Sequence, residues 1–83
     1  MDAAVVVRQA RIKEIVCDIL ELEPHEVTET SHFTDDHGAD SLRALEILAG
    51  LEREFDIAID QSALPRMGNL RSVYDVVAEL AAP

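Results

Sequence analysis

Apolar residues recur along this chain at helical spacing in three stretches, and no stretch makes a convincing strand. With Ile12 set at zero on a helical wheel, Val5, Ile15, Val16, Ile19 and Leu20 fall within about 80° of it, which predicts a first helix with one buried stripe. Near the other end, "LRSVYDVVAELAA" places Leu70, Val73, Tyr74, Val77 and Leu80 on one side, and Asn69 stands where an N-cap belongs. The middle stretch, "SLRALEILAGLEREF", differs because its apolar residues spread too widely for one buried face. Taking Ala44 as zero, Ile47, Leu48, Leu51 and Phe55 lie between about −60° and +40°, an ordinary core stripe. Leu42, Leu45 and Ala49 fall at about 160°, 100° and 140°, nearly opposite, and Glu46, Glu52 and Arg53 border them. Isolated exposed leucines are common, but three aligned apolar positions rimmed by charge predict a docking surface.

The connections complete an all-α reading. Residues 20 to 40, "LELEPHEVTETSHFTDDHGAD", carry Pro24, Gly38 and a scatter of polar residues without period, so they read as a long loop. Loops of that length are usually functional or pinned by apolar anchors, here Leu22, Val27 and Phe33. In residues 56 to 69, Asp60 or Ser62 is placed to cap a short helical turn before Pro65, which argues against a long helix. The expected fold is a small bundle of three main helices plus one short helix, with a long loop between the first two main helices.

Composition narrows the function. A chain of 83 residues is expected to form a single domain over 1–83, with little material for a deep catalytic pocket, so an enzyme is a poor first reading. Seventeen Asp and Glu against seven Lys and Arg give a formal charge of −10. That charge repels phosphate backbones and anionic lipid alike, so no nucleic acid and no membrane insertion are expected, and partners should present Lys and Arg. The single cysteine, Cys17, cannot form an internal disulfide, which suits a reducing compartment. "MDAAVVVRQARIKEIV" lacks a signal peptide's basic start and long apolar run, and a cytoplasmic monomer is expected.

Candidate chemistry centres on Ser41. As a nucleophile it needs a general base and an oxyanion hole, and "GADSL" lacks the second glycine of a G-x-S-x-G elbow, so no catalytic residue is assigned. His25, His32 and His37 do not match a zinc signature with Cys17, and no metal is expected. Asp35 and Glu46 stand at the first and last positions of a possible EF-hand loop, yet His37, Ala39 and Asp40 occupy positions where ligands and the turn glycine belong. Two readings of Ser41 stay open from the residues alone. It or Asp40 is a plain N-cap, or its hydroxyl is the substrate of a modification, since a phosphate ester at a helix N-terminus meets the dipole and unpaired N–H groups.

The run "DDHGADSLRALEILAGLEREFDIAI" resembles the signature of acyl carrier proteins, in which a D-S-L serine carries a 4′-phosphopantetheine arm through a phosphodiester. The resemblance extends without gaps from about Ala10 to Leu80. It implies Ser41 as the attachment site, with Asp40 orienting it for the transferase, Gly38 releasing the backbone in the preceding turn, and Leu42 beside it. It further implies that Leu42, Leu45 and Ala49, with Glu46 and Glu52 as anionic rim, face a phosphopantetheinyl transferase and then an acyltransferase, ketosynthase or other acyl-processing enzyme. The chain would hold acyl groups as thioesters on the arm, drawn from coenzyme A, and would catalyse nothing itself.

Departures from the family pattern bear on the pathway. Housekeeping fatty-acid carriers usually have leucine where His37 stands and an acid where Arg43 stands, and their third helix is rich in acids where this chain reads "QSALPRMG". The likeness is therefore to carriers of polyketide or other specialised biosynthesis, antibiotic pathways included. "GADSL" in place of a G-G-x-S signature favours acyl over aminoacyl cargo. A peptidyl or aminoacyl carrier, and a helical adaptor without an arm, are the alternatives.

Overall fold

The computed structural model describes residues 3–81, so the expected domain limits at 1 and 83 and the acid at position 2 lie outside the described residues. Three α-helices are present among them: α1 over Ala3–Leu20, α2 over Ser41–Phe55 and α3 over Leu70–Ala81. The connections carry a 3₁₀ turn at Pro24–Glu26 and a 3₁₀ helix at Gln61–Arg66. The expected bundle of three main helices and one short one is what forms; the turn at Pro24 is an addition within the long loop.

Helix starts follow local capping chemistry. Asp40 Oδ1 accepts the Arg43 backbone N–H at 2.9 Å, Asn69 Oδ1 that of Ser72 at 2.9 Å, and Asp60 Oδ1 that of Ser62 at 2.8 Å. Each satisfies an N–H that the first helical turn leaves without a partner. The Ser62 backbone and hydroxyl bonds hold the Asp60 carboxyl below its ordinary range. Pro65 lies inside the 3₁₀ helix, which stays short.

α1 and α2 run antiparallel, because Arg11 midway along α1 bonds Glu54 near the end of α2 at 2.8 Å, while Arg43 near the start of α2 reaches Ile19 near the end of α1. Gly50 lets them approach, since a Cβ there would lie 3.2 Å from Ile15 Cγ2. Ile12, Val16, Leu51, Leu70, Val73 and Val77 form the centre of one core.

Three residues depart from the wheels. Leu80 is 45% exposed, and Val76, off the predicted stripe, is 3% exposed. The 3₁₀ helix lies along that side of α3, tied by Arg66 Nη2 to Glu79 at 2.6 Å, and the two elements together shelter Val76, while Leu80, one turn on, lines the same groove and stays exposed. Cys17 is buried although it lies about 140° from Ile12 on the wheel, and burial pushes its thiol up.

The long loop is anchored where expected: Val27 and Phe33 are buried, and Leu22 packs half-buried against the core. Ala39 joins them at 6% exposure. Backbone bonds turn the loop into a clasp: Phe33 N–H donates to Gly68 O at 2.9 Å, Ala39 N–H to Phe33 O at 2.8 Å, and Arg71 N–H to Glu29 O at 3.0 Å. The start of α3 is thereby linked to the start of α2. Among the described residues no helix is long and apolar enough to cross a membrane.

Candidate functional site

The clasp delivers the chain to α2 through Gly38, whose φ of 69° is a left-handed conformation that glycine adopts without strain. A Cβ there would meet nothing within 4 Å, so the backbone and not space requires glycine. Its N–H bonds Thr34 O at 3.0 Å, closing the turn. Asp40 follows as the N-cap, and Ser41 is the first residue of the helix and not its cap.

Ser41 is exposed, and among the described residues nothing hydrogen-bonds its hydroxyl. The Asp40 side chain takes the Arg43 N–H and its carbonyl takes the Ala44 N–H at 3.0 Å. The Ser41 and Leu42 N–H groups have no partner among the described residues and lie at the positive end of the helix dipole. A phosphodiester on Ser41 Oγ fits this setting: the hydroxyl is free, the surroundings are open, and oriented N–H groups complement an anion. Ser41, Leu42 and the Asp40 carboxylate would flank such a group.

The second stripe of α2 faces outward as its angles predict. Leu42 is 63% and Leu45 36% exposed, and Ala49 is exposed, whereas Ile47, Leu48 and Leu51 of the same helix are buried. The acidic rim is less free than the sequence suggests. Glu52 Oε2 accepts the Ile59 backbone N–H at 2.8 Å, and Glu46 Oε2 lies 3.7 Å from Arg43 Nη1. His37 turns its Nε2 to Ser31 Oγ at 3.0 Å, so this ring is occupied within the loop.

Sequence reasoning missed a small cavity of about 80 Å³ lined by Phe33, Ala39, Ala44, Ile47, Leu64 and Met67. These residues come from three separate segments, and no local pattern joins them. It also missed what Arg43 does. The signal available was an arginine in the first turn of a helix on an acidic chain, but its partner lies 24 positions earlier.

Residues 10–80 match the family described as the phosphopantetheine attachment site. The chain is 60% identical over 81 residues to a polyketide-8 synthase acyl carrier protein 1 of Streptomyces avermitilis, covering 98% of this chain and 93% of that protein. It is 36% identical over 69 residues to an acyl carrier protein of Zymomonas mobilis, covering 83% and 88%. A chain in the solved structure of the ishigamide ketosynthase/chain length factor is similar at 36% identity and a TM-score of 0.73, over 92% of this chain and 96% of that one. A free serine hydroxyl at an open helix start, an apolar face beside it, and likeness along nearly the whole length have one account: this chain belongs to the acyl carrier protein family, as a non-catalytic carrier of intermediates on a phosphopantetheine arm.

Proposed function

We propose that Ser41 bears the arm and that the chain, acting as a single carrier domain in the cytoplasm, serves a polyketide-type pathway. The observation that carries the assignment is the exposed, unbonded Ser41 hydroxyl on the first turn of α2, beside a capped Asp40. Once attached, the arm supplies a terminal thiol for acyl groups. This chain's residues bind and position. The unpaired N–H groups of Ser41 and Leu42 favour the phosphodiester, and Asp40, pinned by the Arg43 N–H, holds a carboxylate where the transferase meets the serine. Leu42, Leu45 and Ala49 supply a small apolar contact, with Glu46 and Glu52 at its edge. A contact of that size binds weakly and releases fast, as a carrier passed between enzymes requires.

Polyketide cargo is supported by the 60% identical relative, whose name is that of a polyketide-8 synthase carrier, and by His37 and Arg43. The partners proposed are a phosphopantetheinyl transferase, an acyltransferase and a ketosynthase, the last supported by the similar chain in a ketosynthase/chain length factor structure. Intact mass after incubation with a phosphopantetheinyl transferase and coenzyme A tests the reading. One arm per wild-type chain and none on Ser41→Ala is expected. Modification that persists in Ser41→Ala would overturn the site, and an unmodified wild type would favour the adaptor.

A further inference from the structure

Arg43 stands two residues after Ser41, beside the Glu46 side of the rim, and the structure gives it three partners at once. Its Nη1 donates to the Ile19 carbonyl at 2.7 Å. That carbonyl belongs to the last turn of α1, where helices leave acceptors unpaired and the dipole favours a cation. Nη2 lies 3.5 Å from Glu21 Oε2, and Nη1 lies 3.7 Å from Glu46 Oε2. Glu21 holds φ at 57°, a left-handed conformation for a non-glycine residue, so the guanidinium also stands over the strained end of α1. The arm-bearing end of α2 is thereby tied to α1, and the Glu46 charge is countered from within the molecule.

Resting on the assignment of the arm to Ser41, we propose that Arg43 determines partner specificity. By engaging Glu46 it selects enzymes that meet this end with an apolar socket for Leu42 and Leu45, and it disfavours those that place a cation against Glu46. The reason is electrostatic. A lone carboxylate attracts a partner's Lys or Arg over distances up to the Debye length, about 8 Å at physiological salt. A carboxylate with a guanidinium beside it presents a dipole, whose field falls off faster, and the approaching cation is repelled by the arginine as it nears. The Arg43 side chain is itself 41% exposed, so a neutral or anionic group opposite it is accommodated and a cation is not. The unpaired Glu46 charge that would steer a basic partner is missing, and what that part of the face offers is the apolar contact of Leu42, 63% exposed, and Leu45.

The test uses a phosphopantetheinyl transferase with a basic docking face as probe, with coenzyme A and the full chain as varied substrate, at low and high salt. Arg43→Gln is expected to lower KM about two- to five-fold, the range of an exposed pair, with kcat unchanged and a steeper salt dependence. Adding Glu46→Gln to Arg43→Gln should remove most of that gain. Arg43→Lys keeps the cation but loses the forked reach to Ile19, so KM should stay within about two-fold of wild type even if the melting temperature falls. A KM for Arg43→Gln that is unchanged or raised, a gain that survives the loss of Glu46, or an Arg43→Lys that behaves as glutamine does would each overturn the proposal. If the glutamine variant is too unstable to assay, Glu46→Gln in the wild-type background decides: KM should move less than about two-fold because that charge is already countered, and a several-fold rise would overturn the proposal. Peptide mass mapping of the wild type separates the two readings: an arm anywhere but on Ser41 overturns the attachment site, and with it this proposal, whatever the kinetics show.

Discussion

Leu45 and Leu48 are the same residue type three positions apart on α2, and aspartate at each separates a docking face from a core. Leu48 is 6% exposed, so Leu48→Asp leaves a carboxyl group among apolar neighbours. Losing the leucine alone costs about 2.7–5 kcal/mol, and an unsatisfied polar group adds about 2–7 kcal/mol even if it is protonated. A domain of 83 residues has roughly 4–12 kcal/mol of stability in all, so this variant should not fold cooperatively. Leu45 is 36% exposed. Full burial of a leucine is worth about 1.5–3 kcal/mol, so about two-thirds of that, roughly 1–2 kcal/mol, is lost at Leu45, and aspartate's lower helix propensity adds at most about 0.7 kcal/mol. The melting temperature should fall by about 4–22 °C with the transition still cooperative. Transfer is a different matter. If Leu45 inserts into a partner, truncation and charge together should slow acyl or arm transfer by about 10-fold or more under conditions where the variant is folded. Thermal circular dichroism and steady-state transfer assays on both variants give the comparison. Equal loss of folding in the two variants would show that Leu45 belongs to the core. A folded Leu45→Asp with wild-type transfer would show that this face docks nothing.

Phe33→Ala should destabilise the domain by about 3–5 kcal/mol, because Phe33 is 5% exposed and holds the clasp between α2 and α3; urea unfolding measures this, and an unchanged midpoint would refute the clasp. Asp60 gives a pH dependence with a definite sign. Its folded carboxyl lies below its ordinary value because it accepts the Ser62 backbone N–H and its hydroxyl, so the cap contributes at neutral pH and is lost as pH falls below the ordinary aspartate range and through the folded value. The protection factor for hydrogen exchange at the Ser62 amide, taken against its intrinsic rate at each pH, should fall over that acidic window in the wild type and show no such step in Asp60→Asn.

What the sequence by itself determined was whatever depends on neighbours within one helical turn. Asp40, Asn69 and Asp60 cap as their positions imply, because a capping bond spans only two or three residues. The two faces of α2 were legible for the same reason: a wheel converts spacing into direction, and the charged residues beside Leu42 and Leu45 mark which direction is wet. The D-S-L serine was legible as a motif, along with the glycine that its preceding turn requires. The tertiary structure decided which side of each helix a neighbour would cover. Val76 is buried because the 3₁₀ helix lies along its side of α3, and no period within α3 encodes that. It also decided which charges are free. Glu52 is engaged by Ile59 seven residues on, and Arg43 reaches Ile19 24 positions back, so charges that read as free along the chain are paired and directional in space. Ion pairing and burial depend on how separate helices meet, and that is settled by packing all three around one core.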